Sequence, residues 1–223
     1  METGTTLKGK NVVVTGAASG IGASVVNASV QQGATAIGLD IDAKGGKEVV
    51  ENVGGVFYQC DVSKEEAWAA MAKTLSSTIG SIDHLHLNAG IQSAPPAAPM
   101  EEYRFRAMQI DRYRKMMGVN VDGVVFGLHH LLPLMNKGGS IVVTGSLAGV
   151  VPYDIDPLYA MSKHAVTGIV RSLKWELREQ GLRINALCPG GIDTGIIPLN
   201  QRTDDAIFMS PDHVAAEVLT MFE

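Results

Sequence analysis

The chain has 223 residues, 46% of them hydrophobic and 18% charged, the profile of a compact soluble protein and not of a disordered one. A net charge of −5 supplies no basic face for a phosphate backbone, which excludes nucleic acid as the main partner. Gly, Asn, Asp, Lys or Gln breaks every apolar run short of a membrane span, and Met1-Glu2-Thr3-Gly4 lacks the basic-then-apolar pattern of a secretory signal. Repeats and internal linkers are absent, so one domain is predicted over residues 1–223. Cys60 and Cys188 lie far apart and fit free thiols in a reducing cytoplasm better than a disulfide.

In chain order, Asn11-Val12-Val13-Val14-Thr15 is a β-branched run without alternation, as a strand buried on both faces requires. It leads into Thr15-Gly16-Ala17-Ala18-Ser19-Gly20-Ile21-Gly22 and a helix to about Gln32, closed by Gly33. A second strand spans Thr35 to Asp40, a helix covers about Ala43 to Asn52, and Val56 to Cys60 is a third strand. Ser63 and Glu66 are spaced as a capping box for a helix to about Ile79. Ile82 to Leu87 is the fourth strand, ending in Asn88-Ala89-Gly90. Residues 91–110, with Pro95, Pro96 and Pro99, read as a loop with room for a short helical turn. A long helix from about Asp111 to Met135 follows, bent near Gly118 or Pro133. Ser140 to Thr144 and Arg183 to Leu187 are the fifth and sixth strands, separated by a helix over 157–180, and a final helix starts near Pro211. This alternation specifies an α/β, Rossmann-type doubly wound parallel sheet with helices on both faces and ligands beyond the carboxyl ends of the strands.

The notable residues cluster at those ends. Gly16 permits a tight turn, Gly20 lets backbone approach a pyrophosphate, and Gly22 allows close helix–strand contact. No Gly-Lys-Ser/Thr follows, which excludes a nucleotide triphosphate loop. Asp40 can accept hydrogen bonds from both adenosine ribose hydroxyls and would repel a 2′-phosphate, and no Arg or Lys in the 15–22 turn offsets it, so NAD is expected over NADP. Tyr159 and Lys163, four apart on one helix face, make a proton donor whose pKa an adjacent ammonium lowers. His84 and His86 share a strand face without a third ligand nearby, and His129 and His130 point apart, so packed histidines are expected and no metal.

Thr15-Gly16-x-x-x-Gly20-Ile21-Gly22, Asn88-Ala89-Gly90, Asn120, Ser146, Tyr159-x-x-x-Lys163 and Pro189-Gly190, in this order, resemble the signature of the short-chain dehydrogenase/reductase family from Leu7 to about Val218. The resemblance implies that Tyr159 is the catalytic acid/base and that Ser146 hydrogen-bonds the reacting oxygen. Lys163 would lower the tyrosine pKa and bind the nicotinamide ribose, while Asn120 would hold a proton-relaying water. Further cofactor contacts are implied for Ser19, Ile21 and Ile41, for Asp61 and Val62 at the adenine, and for Asn88, Ala89 and Gly90 beneath the adenosine, Asn88 alternatively serving to tie strands together. Pro189, Gly190, Ile192 and Thr194 are implied to hold the carboxamide end. The implied activity is hydride transfer between NAD and a small-molecule secondary alcohol or ketone; the alternative is a non-catalytic NAD-binding regulatory or scaffold protein. Residues 147–156, 91–110 and 195–210 are expected to line a mainly apolar pocket suited to steroid-like, lipid-like or cyclic alcohols. Two departures from the family pattern are a longer 91–110 segment and a sequence that stops at Phe222-Glu223 before the usual seventh strand, which bears on an expected homo-oligomer.

Overall fold

A computed structural model describes residues 7–203 and 205–223; the opening Met1-Glu2-Thr3-Gly4 lies outside the described residues. Six parallel strands, β1 (Asn11–Thr15), β2 (Thr35–Asp40), β3 (Val56–Gln59), β4 (Ile82–Leu87), β5 (Met135–Thr144) and β6 (Arg183–Leu187), form one sheet in the order β3-β2-β1-β4-β5-β6. The intervening helices are α1 (Gly20–Gln31), α2 (Ala43–Asn52), α3 (Glu65–Thr78), α4 (Ile110–Met117), α5 (Gly123–Leu131), α6 (Pro157–Glu179) and α7 (Pro211–Phe222). Connection order reverses between β1 and β4, the position where doubly wound sheets open a crevice.

Period-two side-chain alternation sends successive strand residues to opposite layers. Val13, Leu85, Ile141 and Val143 pack with Trp68, Leu75, Leu128, Val166 and Leu177 on one side of the sheet. Val12, Val14, Ala36 and Val142 pack with Val25, Val50, Val218 and Phe222 on the other. Burying each such side chain contributes roughly 1.5–3 kcal/mol, which is why these uninterrupted apolar runs form strands in the middle of a sheet.

The structure refines the sequence reading in local detail, and β3 ends one residue early, at Gln59. Ser63 does not cap α3: its hydroxyl and amide both donate to Asp61 Oδ1, at 2.7 and 3.0 Å, so Lys64 occupies the cap position without a side-chain bond. A carboxylate is the stronger acceptor and outcompetes the helix amide. The 91–110 segment holds two short 3₁₀ turns, Met100–Tyr103 and Phe105–Ala107. The long helix is irregular where a bend was expected: a π turn, Gly118–Asp122, separates α4 from α5, and a 3₁₀ turn, Leu132–Leu134, ends it. β5 starts at Met135, paired with Ile82, with an irregular register before Ser140.

His84 and His86 are packed histidines. His84 stacks on Phe222 with centroids 4.7 Å apart, and burial pushes its pKa down to about 4. His86 is fully enclosed, its pKa pushed down to about 3 from 6.5 by the same cause. His130 instead meets Glu65 at 2.6 Å. Below pH 6.5 the unfolded chain takes up protons that the folded chain refuses, so stability should fall as pH drops. At pH 5 we expect His86 alone to cost about 2 kcal/mol relative to pH 7, seen as a drop in the urea midpoint that is smaller in a His86→Gln variant, where only the share of His84 is left.

Candidate active site

A cleft of about 1540 Å³ opens across the carboxyl ends of the strands. Its wall over β1 is the glycine turn. Gly16 and Gly20 have φ of +67° and +53°, the left-handed region that side-chain-bearing residues avoid. A Cβ on Gly22 would stand 2.1 Å from the Gly16 carbonyl oxygen, so α1 presses directly on the turn. α1 starts behind Ser19 with no side-chain cap, leaving its first amides facing the cleft for an anion. Asp40 closes this end. One oxygen accepts from the Ala18 amide and the other from the Asp42 amide, both at 2.9 Å, which fixes the carboxylate at the cleft edge. A bare cradle, an uncapped helix start and a fixed acid suit the pyrophosphate and ribose of a dinucleotide.

Ser19, Ile21, Ile41, Asp61, Val62, Ala89, Gly90, Pro189, Gly190, Ile192 and Thr194 also line the cleft, as do Ser146, Tyr159 and Lys163. Thr194 lies over the turn: its methyl would be 2.9 Å from a Cβ on Gly20. Gly22 and Asn120 do not reach the cleft. Asn120 sits in the π turn, 1% exposed, with its carboxamide committed. Its Oδ1 accepts from the Ile91 amide at 2.8 Å, and its Nδ2 donates to the Ile91 carbonyl at 2.8 Å and to Ser162 Oγ at 3.0 Å. The side chain therefore clamps the strand-end loop.

Asn88 likewise serves as a tie. Its Nδ2 donates to the Thr15 carbonyl at 3.0 Å and its Oδ1 accepts from Thr144 Oγ1 at 3.0 Å, joining β1, β4 and β5. Because the single Thr144 hydroxyl proton goes to Asn88, His86 Nε2 must be the donor in its 2.8 Å contact with Thr144 Oγ1. The Thr144 carbonyl accepts from Lys163 Nζ at 2.8 Å.

Tyr159 is 9% exposed, at the start of α6. Burial pushes its phenol up to about 12; a hydrogen bond with Ser146 pulls the other way, while Tyr153 and Asp156 add to the rise. The expected lowering by Lys163 is not met in the protein alone. The ammonium lies 5.7 Å from the ring centroid, and burial pushes Lys163 itself down to about 8.

Gln92 and Ser93, in the expected 91–110 segment, line the cleft. Arg112, Arg114 and Lys115 of α4 escaped the sequence reading and add positive charge to the rim, Arg112 being paired with Glu102. Asp156, 0% exposed, accepts from the Tyr159 amide on one oxygen and the Ser93 amide on the other, both at 3.0 Å. Its position three before Tyr159, at a helix start preceding Pro157, is the signal that could have revealed it as a cap.

A family model described as short chain dehydrogenase matches residues 10–204, and the chain belongs to the short-chain dehydrogenase/reductase family. It is 35% identical over 204 residues to a 2,5-dichloro-2,5-cyclohexadiene-1,4-diol dehydrogenase of Sphingobium indicum, covering 89% of this chain and 78% of that one. It is 33% identical over 216 residues to a mitochondrial borneol dehydrogenase of Lavandula x intermedia, covering 96% and 80%. The fold matches a 3-ketoacyl-(acyl-carrier-protein) reductase of Brucella melitensis, solved in complex with NADH, with a TM-score of 0.86 at 24% identity over 98% of this chain and 92% of that one. The protein is an oxidoreductase that transfers hydride between a nicotinamide cofactor and an alcohol or ketone.

Lys163 offers a direct check on these electrostatics. Its folded pKa of about 8 lies below the 10.5 of the exposed group, so between those values the unfolded chain holds the extra proton and wild-type stability rises with pH. Replacing it by Met removes that rise. From pH 7 to pH 10 the stability of wild type relative to Lys163→Met should improve by about 2–3 kcal/mol, measured by urea unfolding of both proteins.

Proposed function

We propose that the chain is an NAD-dependent dehydrogenase of secondary, ring-borne alcohols, with cofactor and substrate sites in the one domain. The observation that carries this reading is the convergence of Ser146, Tyr159 and Lys163 on the same cleft as Asp40 and the glycine turn. NAD, when bound, supplies the hydride acceptor for the alcohol carbon, or as NADH the donor. In this reading Gly16, Ser19, Gly20 and Ile21 hold the pyrophosphate side, Asp40 and Ile41 the ribose, and Asp61 and Val62 the adenine. Gly22 packs beneath the turn, while Asn88, Ala89 and Gly90 form the floor. Pro189, Gly190, Ile192 and Thr194 hold the carboxamide end, and Lys163 the second ribose.

Tyr159 accepts the substrate hydroxyl proton as phenolate during oxidation and returns it as phenol during reduction. Ser146 holds the reacting oxygen in line with it, and the pair fixes the geometry that the proton transfer needs. Asn120 acts by anchoring Ile91 and Ser162 around this centre. In this role it stands behind the site. Lys163 contributes charge without touching the phenol, so oxidation depends on an added positive charge to bring Tyr159 down from about 12.

Cyclic substrates are supported by the relatives that act on a cyclohexadienediol and on borneol, and by an apolar lining that includes Ala148, Val151, Ile196 and Phe208. Self-association of the chain is supported by apolar residues left exposed on helices, among them Val125 of α5 and Met161 and Trp175 of α6. Cytoplasmic residence fits the two free thiols of Cys60 and Cys188. No helix among the described residues is long and apolar enough to cross a membrane.

Mixing the protein with NAD and a panel of cyclic alcohols, and following NADH absorbance, should show turnover. Tyr159→Phe should lower it on the order of 10²–10⁴-fold, and activity that survives this change would rule out Tyr159 as the acid/base. Oxidation should rise with pH, since phenolate is the acting form, and ketone reduction should fall. Asp40→Ala should weaken NAD binding and strengthen NADP binding, read by fluorescence titration with both reduced cofactors; equal wild-type affinity for the two would contradict the role given to Asp40.

A further inference from the structure

Asp156 is fully enclosed at the start of α6, and its two oxygens accept from two backbone amides, those of Ser93 and Tyr159. No ion pair among the described residues includes it. A negative charge held out of water without a counter-ion acts on its neighbours with little screening. Its place on the helix matters as well. Pro157 is the first helical residue, so Tyr159 falls in the first turn of a helix of 23 residues. The amides of that turn carry partial positive charge, which favours a phenolate on Tyr159. The Asp156 carboxylate takes up the Tyr159 amide itself and sets a full negative charge against that partial positive one.

Other phenols feel the same carboxylate. Tyr103, in the 91–110 segment, and Tyr153, in the loop before α6, are pushed above the usual phenol range, first by burial, with Asp156 adding to the rise. Tyr103 donates to the Pro95 carbonyl at 2.6 Å, and Tyr153 accepts from Gln201 at 3.4 Å. Around Tyr159 stand Tyr153, Ser146, Tyr113 of α4 and Lys163 of its own helix, and the rest of the cluster is apolar. The Lys163 ammonium, 5.7 Å from the ring centroid, is bonded to the Thr144 carbonyl. Burial and Asp156 both favour the neutral phenol.

Resting on the acid/base role given to Tyr159 above, we propose that Asp156 is a positioning residue that holds the proton on Tyr159, its buried charge at the start of α6 fixing how alkaline the medium must be before the tyrosine can take a proton from the alcohol. The carboxylate is enclosed and acts only through Tyr159. Removing its charge while keeping a cap leaves the helix start positive, so phenolate forms at lower pH. Oxidation, which needs phenolate, then begins at lower pH, and ketone reduction, which needs phenol, declines at lower pH.

The test follows kcat/KM against pH for wild type, Asp156→Asn and Asp156→Ser, with saturating NAD and the cyclic alcohol that wild type turns over fastest. Ser keeps a cap acceptor without the charge, so either variant suffices if the other does not fold. The acid limb of oxidation should move about one unit lower, a tenfold gain at fixed pH relative to the variant's own plateau. The decline of ketone reduction should move with it. A limb within about 0.3 unit of wild type, whatever the plateau, or one displaced upward, would overturn the inference and leave Asp156 a helix cap. Tyrosinate absorbance, followed against pH with NAD bound, reads the same group without turnover, and the step missing in Tyr159→Phe belongs to Tyr159. A step about one unit earlier in the Asp156 variants, together with oxidation that survives Tyr159→Phe, would support the hold on the proton and overturn the acid/base reading. An unmoved step would overturn the inference and leave the dehydrogenase reading intact.

Discussion

The carboxyl ends of β1, β4 and β5 meet where the sheet can no longer pair its own groups, and a short chain of buried polar contacts holds them. His86 donates to Thr144, Thr144 to Asn88, and Asn88 to the Thr15 carbonyl. Thr15 in turn accepts from the amides of Asn88 and Ala89 through its hydroxyl, at 2.8 and 3.0 Å. Every link has one available direction, which leaves no alternative arrangement of comparable energy. The glycine turn stands on one end of this chain and Lys163, through the Thr144 carbonyl, on the other. The relation between the glycine turn and Lys163 is thus set inside the sheet, below the cleft itself.

Electrostatically the site is unfavourable to itself. A phenol and an ammonium are both buried, and each is pushed toward its neutral form, Tyr159 up and Lys163 down. Structural ion pairing would have removed that tension by bringing the two into contact. Instead the ammonium is spent on a backbone carbonyl and the phenol on Ser146. Such an arrangement responds strongly to any charge brought in from outside, because little water is present to screen it.

The architecture was legible in the sequence because strand after strand is a continuous apolar run with its punctuation in place; β1, β2, β4 and β6 have the expected bounds. The glycine turn and the Ser146, Tyr159 and Lys163 set were legible because motif and strand end coincide. What escaped depends on partners distant in the chain or on burial. Asn120 stood out in the sequence, but its partner, the Ile91 peptide, is named only once the π turn and the strand-end loop are seen together. The Ser63 cap failed to a carboxylate two residues earlier, a local competition that spacing rules do not weigh. Asp156 holds a residue 63 positions before it, and no pattern in either stretch announces the other. The direction of the Tyr159 shift turned on enclosure, which helical spacing does not encode.

Asp156 bears on how firmly the two walls of the pocket are held. By holding Ser93 and Tyr159 on one carboxylate, it welds the inner wall to α6, and that side of the pocket cannot part without exposing a buried charge. The opposite side, residues 195–203, is secured differently: Leu199 donates to the Pro96 carbonyl, and Arg202 reaches Asp193 and the Thr194 carbonyl through exposed contacts. Contacts of that kind open at small cost. The pocket is therefore bounded by one wall tied through a buried carboxylate and another tied in part through surface contacts.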